Sequence, residues 1–361
     1  MAIKTLLKYI IPTCLFVITI SCGLFDPDDE RLVDPLSFSW SVDTLSYPGS
    51  FQLKLKNIWG ASRKDVYAVG HNFSGAKMFH YNGKNWSPVE LHTSGGGPIA
   101  GAHQIEDVHG FSDSDIWAVG HHTLDIPTDS STIHRKIALV IHYNGYQWVE
   151  SDTIHDEPLY SVGGGSSDDF WVGGLNDILY RYDGSKFTKY LIPLEINPEW
   201  FHYIGYIVGG KDGIAYAMLR IPGGGTIQPI DYLLKFEDDE WIVFDSAYAD
   251  TWMRLWLSPS GTLYGAGYFH LDRWENGSRT TLMDSTYYAA AHGTGDDNFY
   301  VVGNTSPMKS EIAVWYYNGE EFRQLPIPKV ENGYAAGVWT DGTEVFVLAV
   351  IGNSTVVLHG K

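Results

Sequence analysis

From residue 53 onward one pattern keeps returning along this chain, and a chain made of near-copies of one unit has few folds open to it. The first copy reads Ile58-Trp59-Gly60-Ala61-Ser62-Arg63-Lys64-Asp65-Val66-Tyr67-Ala68-Val69-Gly70 and ends at Phe79-His80-Tyr81-Asn82-Gly83-Lys84-Asn85-Trp86. A near twin follows as Val108-His109-Gly110-Phe111-Ser112-Asp113-Ser114-Asp115-Ile116-Trp117-Ala118-Val119-Gly120, then Ile141-His142-Tyr143-Asn144-Gly145-Tyr146-Gln147-Trp148. The aromatic residue of the second strand recurs as Tyr67, Trp117, Trp171, Tyr216, Tyr264, Tyr300 and Phe346, at steps of 50, 54, 45, 48, 36 and 46 residues. Such steps fit blades of four antiparallel strands arranged in a ring, with loops absorbing the longer ones. Seven landmarks predict seven blades.

Within a unit the local chemistry agrees. Asp65-Val66-Tyr67-Ala68-Val69 is a β-branched and aromatic run opened by a turn residue, and Asn82-Gly83 predicts a two-residue type I′ hairpin between strands three and four. The turn recurs as Asn144-Gly145, Asp183-Gly184, Asn276-Gly277 and Asn318-Gly319, with Asp238-Asp239 a poorer version. Aromatic residues follow it at Trp86, Trp148, Phe187, Trp241 and Phe322, suited to packing one blade against the next. The last unit stops at Lys361, where a fourth strand is due, and Phe38-Ser39-Trp40-Ser41-Val42-Asp43-Thr44-Leu45 reads as the missing strand. The expectation is an all-β, seven-bladed β-propeller over residues 36–361, closed by the N-terminal strand joining the C-terminal blade, which removes an unpaired sheet edge.

The first residues read differently. Lys4 and Lys8 precede an apolar run from Tyr9 to Ile20, too short for a mature membrane span and the right length for a secretory signal. Ile20-Ser21-Cys22-Gly23 resembles a bacterial lipobox, with Thr19 where an aliphatic residue is the rule, and the resemblance implies cleavage before Cys22 and lipid attachment to its thiol. Residues 1–21 are then the lipoprotein signal peptide and 22–35 an acidic tether, Gly23-Leu24-Phe25-Asp26-Pro27-Asp28-Asp29-Glu30 being its charged part. Cys14 leaves with the signal, so Cys22 is the sole cysteine of the exported chain and forms no intrachain disulfide. Acidic stretches behind a lipidated cysteine resemble the surface-export signals of Bacteroidota lipoproteins, which implies an outer-membrane location facing outward.

The wording WG-x-S-x-x-D-V-Y-A-V-G followed by H-Y-N-G-x-x-W resembles the propeller-repeat lipoproteins of environmental bacteria, over about residues 36 to 361. It departs from tryptophan-aspartate repeats, which need a Gly-His early and a Trp-Asp late in each blade. The sialidase boxes, S-x-D-x-G-x-x-W, do not occur. The shared residues are those that build blades, so the resemblance implies a fold and no chemistry.

Forty-three acidic residues against 24 Lys plus Arg, a formal charge of −19, exclude electrostatic capture of nucleic acid. Of the 14 histidines, His80, His142 and His359 share the position just before the hairpin turn and read as structural, while His109 and His292 share a register on the innermost strand and read as channel lining. His121 and His122 open the longest insertion, which reaches Arg135 with His134 near its end; neighbours on a strand face opposite ways, so no metal site is expected there, and no cofactor elsewhere. Gly95-Gly96-Gly97, Gly163-Gly164-Gly165 and Gly223-Gly224-Gly225 lack a following Lys-Ser or Lys-Thr and read as loops and tight strand junctions. Asp43-Thr44-Leu45, Asp152-Thr153-Ile154, Asp245-Ser246-Ala247 and Asp284-Ser285-Thr286 resemble a short O-glycosylation sequence of Bacteroidota, although a shared strand register accounts for three of them. No catalytic residue is assigned; a G-x-S-x-G elbow is missing from the sequence.

A ligand would meet the mouth of the ring, formed by loops that join one blade's outer strand to the next blade's inner strand and by loops between strands two and three. The candidates there are His103, His121, His122, His155, Trp200, His202, Trp252, Tyr287 and Tyr334, with the segment from Pro222 to Pro229. The expected function is a lipid-anchored binding module for a glycan or an envelope protein. The alternative is a carbohydrate-active enzyme, a glycoside hydrolase or polysaccharide lyase; a purely structural envelope component would instead show a flat apolar patch.

Overall fold

The computed structural model describes residues 34–361 except positions 100, 129–130, 152–153, 155–156, 177, 226–227, 249–250 and 307–308. The expected signal segment, Cys22, nearly all of the tether and His155 lie outside the described residues. After a short 3-10 turn (Pro35–Ser37), 28 strands form seven four-stranded antiparallel sheets among the described residues. Strand β1 (Trp40–Leu45) comes first. Blade 1 holds β2 (Leu53–Ser62), β3 (Asp65–Asn72), β4 (Met78–Tyr81) and β5 (Trp86–Pro88). In blade 2 come β6 (His103–Ser112), β7 (Asp115–Pro127), β8 (Thr132–Tyr143) and β9 (Trp148–Glu150). Blade 3 is β10 (Leu159–Ser166), β11 (Asp169–Gly174), β12 (Leu179–Tyr182) and β13 (Phe187–Lys189). Blade 4 consists of β14 (Tyr203–Gly209), β15 (Ala215–Ile221), β16 (Ile230–Glu237) and β17 (Glu240–Tyr248). Then follow β18 (Arg254–Leu257), β19 (Leu263–Ala266), β20 (Leu271–Glu275) and β21 (Ser278–Met283) as blade 5. Blade 6 is β22 (Tyr288–Gly295), β23 (Asn298–Ser306), β24 (Lys309–Tyr317) and β25 (Phe322–Gln324). Strands β26 (Gly333–Thr340), β27 (Val345–Ile351) and β28 (Ser354–Gly360) complete blade 7 together with β1.

The closure is the one expected. β1 pairs antiparallel with β28, Trp40 opposite Gly360 and Leu45 opposite Thr355, and Ser39 and Lys361 exchange backbone hydrogen bonds of 2.9 and 3.1 Å just beyond. The inner strands of neighbouring blades contact one another all the way round, β26 against β2 included, so the seven blades form a closed ring.

Each blade–blade interface holds its own apolar core. The fourth-strand aromatic of one blade packs on the second-strand aromatic of the preceding blade: Trp148 on Tyr67 (5.4 Å between centroids), Phe187 on Trp117 (6.2 Å) and Trp241 on Trp171 (4.8 Å). Such edge-on ring pairs add to the area they remove from water, which is why the repeat keeps an aromatic at both positions. Gly163 and Gly165 lie within β10 because the chain of blade 4 passes close by; a Cβ on Gly163 would sit 2.3 Å from the Ile207 carbonyl oxygen.

The hairpin turns differ from expectation in an informative way. In blades 1, 2, 3 and 6 four residues, not two, connect strands three and four: Tyr81 pairs with Trp86, Tyr143 with Trp148, Tyr182 with Phe187 and Tyr317 with Phe322. The Asn or Asp at the turn uses its side-chain oxygen to accept two backbone N–H groups, as Asn82 does from Lys84 and Asn85, and only the following glycine takes positive φ (86° at Gly83). This side-chain capping competes with the type I′ geometry and wins. True two-residue turns with both central residues at positive φ occur at Asp238-Asp239 (52° and 64°) and Asn276-Gly277 (52° and 76°), so the pair that reads as poorest adopts the expected turn.

Candidate binding site at the mouth of the ring

Six inner strands carry a β-bulge near their starts, with register breaks at Leu55/Asn57, Ile105/Asp107, Leu159/Ser161, Ile204/Tyr206, Tyr288/Ala290 and Ala335/Gly337. A bulged residue has no ladder partner, and the local bend re-aims its side chain. The bulged residues Lys56, Glu106, Tyr160, Gly205, Ala289 and Ala336, with Met253 of blade 5, line one cavity of about 490 Å³ at the ring axis. Glycine or alanine at the bulge leaves room in blades 4, 6 and 7. In those same blades the residue two positions earlier is a tyrosine, and Tyr203, Tyr287 and Tyr334 line the cavity together with Phe201. The result is a cup with a rim of aromatic rings.

Arg254, the first residue of β18, forms the floor by reaching across the axis. Its Nη1 donates to Asn57 Oδ1 (2.8 Å) and Tyr206 Oη (2.7 Å), its Nη2 donates to the Lys56 carbonyl, and the guanidinium carbon lies 5.2 Å from the Tyr206 ring centroid. Beside it Lys56 Nζ is 2.5 Å from Glu106 Oε2, and Gln104 Nε2 donates to Glu106 Oε1 at 2.6 Å. Beneath lies Asp107, buried. Its Oδ1 accepts from Asn57 Nδ2 and from the Val108 N–H (2.9 Å), and its Oδ2 accepts from Ser161 Oγ (2.9 Å) and the Val162 N–H (3.0 Å). Ser161 Oγ in turn accepts from the Ile207 N–H at 2.9 Å. This chain answers a general need of the fold: the axial edges of the inner strands carry amides that no fifth strand can satisfy, and these side chains satisfy them. Burial raises the Asp107 carboxyl pKa, opposed by those donors and by Arg254.

Below the floor a second cavity of about 190 Å³ runs on, lined by Trp59, His109, Trp256, His292 and Trp339 among others. Burial holds both histidines down at about 4, so neutral imidazoles line the waist. Among the described residues no group of three His, Cys, Asp or Glu is placed to hold a metal ion.

The candidates read from the sequence divide sharply. Tyr287 and Tyr334 line the cup, and Trp200 is exposed next to Phe201, which lines it. His202 is buried, its Nδ1 2.7 Å from the Trp200 carbonyl oxygen. Trp252 is no ligand-facing residue. It is fully buried between blades 4 and 5, its Nε1 donates to Asp272 Oδ2 at 2.8 Å, and its ring packs on Trp274 at 5.0 Å. The position just before an inner strand directs alternate residues toward core and solvent, and here the indole takes the core side. His121 is buried behind Glu106 at 3.8 Å, and His122 turns the other way to Glu150 at 2.9 Å, as alternation requires. His103 lines a separate groove of about 620 Å³ between blades 1 and 2. Lys56, Glu106, Tyr160, Tyr203, Tyr206 and Arg254 escaped the sequence reading. A signal for two of them exists, since Lys54-Leu55-Lys56-Asn57 and Gln104-Ile105-Glu106-Asp107 stand at the same spacing before Ile58 and Val108.

No family model matches the chain, and no curated protein is similar to it. Solved structures do match. The RRP9 WD40 repeats share 9% identity over 89% of this chain and 97% of theirs, at a TM-score of 0.57. YCF48 bound to D1 peptide shares 11% over 91% and 95%, at 0.53. The extracellular domain of BT4673 from B. thetaiotaomicron shares 13% over 88% of this chain, which covers 40% of that longer one, at 0.55. At such identities the likeness is one of fold alone, a β-propeller.

Proposed function

We propose that this protein is a non-enzymatic binding module of the bacterial cell envelope that holds the end of a glycan in the cup at its mouth. The observation that carries the reading is the convergence of Tyr160, Phe201, Tyr203, Tyr287 and Tyr334, from blades 3, 4, 6 and 7, on one cup floored by Arg254. Flat rings with hydroxyls at their edges suit sugars, whose faces are apolar and whose rims are polar. A volume near 490 Å³ falls in the range of small-ligand sites. A docked protein face would instead want a broad, flat surface of about 800 Å². Glycoside hydrolysis commonly uses two carboxylates flanking the bond; among the described residues that line the cup Glu106 alone is acidic, and Lys56 and Gln104 already engage it.

The anchor belongs to the same proposal. A lipid on Cys22, carried by the tether of residues 22–35, would hold the module at the outer membrane, facing outward. Replacing Cys22 by Ser then moves the protein from the membrane fraction to the soluble one; unchanged partition contradicts lipidation.

The test of the ligand is a glycan array probed with the full chain, alongside a peptide library, since the similar YCF48 structure holds a peptide. Saturable glycan binding that is lost in Tyr334→Ala and Tyr203→Ala supports the proposal. Capture of peptides only, or turnover of any polysaccharide, overturns it.

A further inference from the structure

Resting on the glycan reading, we infer that the sugar unit seated in the cup carries a carboxylate, as a uronic acid does, and that Lys56 and Arg254 select for it. Two cations line the cup, and each has its acid behind it. The Lys56 side chain is 44% exposed while Glu106 beneath it is 10% exposed, so the pair presents its ammonium to the cavity. Arg254 lines the cup and the channel below, and Asp107 lines only the channel. A ligand entering from the mouth therefore meets cations first.

The donor count of Arg254 points the same way. A guanidinium has five N–H donors; three are committed here, and all three acceptors, Asn57 Oδ1, Tyr206 Oη and the Lys56 carbonyl, are uncharged oxygens. The Nε–H and one Nη2–H thus lack a hydrogen-bond partner among the described residues, and paired guanidinium donors are what a carboxylate takes. The chain as a whole carries a formal charge of −19. That negative surface also limits what can enter: a long polyanion is repelled by the rest of the protein, whereas one chain end can place its terminal carboxylate on the cations.

The test titrates the full chain with short oligogalacturonates and oligomannuronates and with the same oligomers after carboxyl reduction, which replaces each carboxylate by a primary alcohol and keeps the ring. The acidic oligomers should bind about tenfold tighter or more, consistent with charge-assisted hydrogen bonds, and rising ionic strength should narrow the gap. In Lys56→Gln and Arg254→Gln the preference should shrink to about twofold or less. Arg254 ties blades 1, 4 and 5 together, so its variant is checked by thermal melting; Lys56→Gln, at an exposed side chain, carries the test if the other fails to fold. Equal binding of acidic and reduced oligomers overturns the carboxylate inference and leaves the glycan reading standing. An acidic preference unchanged in Lys56→Gln and in folded Arg254→Gln overturns the assignment to these two residues. Binding of neither acidic, reduced nor neutral glycans removes the glycan reading, and this inference with it.

Discussion

His359 Nε2 lies 2.6 Å from Glu344 Oε2 while its ring lies flat on Phe346, centroids 4.0 Å apart and planes 19° from parallel. Blade 1 repeats the arrangement with His80, Asp65 and Tyr67, and blade 2 with His142, Asp115 and Trp117. In blade 3 Arg181 takes the histidine's place, bonded to Asp169 at 2.7 Å and lying 5.6 Å over Trp171. An acid at the start of strand two thus clamps a ring or guanidinium on strand three over the aromatic between them. His359→Leu removes a bond to a carboxylate and should cost about 2 kcal/mol, read from urea unfolding, with glycan binding by the folded variant unchanged. A loss below about 0.5 kcal/mol, the range of ordinary surface changes, would contradict the clamp.

The seam between the chain ends gives a second expectation. Because Ser39 and Lys361 exchange both backbone bonds, the alternation of an antiparallel ladder makes Ser41 and His359 the next bonded pair. Ser41→Pro removes that donor and should destabilise the ring by about 3 kcal/mol or promote self-association through the exposed edge of β28. Pro at Val42, a non-bonded position, should do less harm. Equal effects of the two would contradict the register.

Trp252 separates core from ligand surface. Trp252→Ala should cost about 3–5 kcal/mol by leaving a cavity and a buried Asp272 short of a donor, measured by denaturant midpoint. Tyr334→Ala, at a side chain 47% exposed, should change stability by about 0.5 kcal/mol or less and abolish binding. A stable Trp252→Ala that loses binding would restore the sequence expectation.

Acid should weaken the ring through its waist. Burial lowers His109 and His292 to about 4 from 6.5, so between these values the unfolded chain is protonated and the folded one is not. Their contribution is whole above pH 6.5 and is lost as pH falls toward 4. His109→Phe should make the stability-against-pH curve shallower in that window by up to about 1.4 kcal/mol per pH unit. Curves that stay parallel would show that the imidazole is already charged when folded.

Blade number, strand order, ring closure and the role of His80, His142 and His359 were all legible in the sequence, because each rests on residues repeated at fixed spacing. The cup was less so, for two physical reasons. A bulge shifts the alternation by one residue, and its trace is short, two successive residues between buried apolar ones at Lys56-Asn57, Glu106-Asp107 and Tyr160-Ser161, so Lys56, Glu106 and Tyr160 read as ordinary strand residues. Arg254 meets Asn57 only when the ring closes, nearly 200 residues apart along the chain. Aromatics near strand starts were visible, but which of Trp200, Trp252, Tyr287 and Tyr334 turns inward depends on one step of alternation that the neighbouring loops decide.

The most direct measurement is a crystal structure of the protein soaked with the best-bound oligosaccharide. The expected result is a terminal ring inside the cup, in van der Waals contact with Tyr287 or Tyr334, with its carboxylate within hydrogen-bond distance of Lys56 Nζ or the Arg254 guanidinium. A sugar bound elsewhere on the ring, with the cup holding only water at saturating ligand, would contradict it.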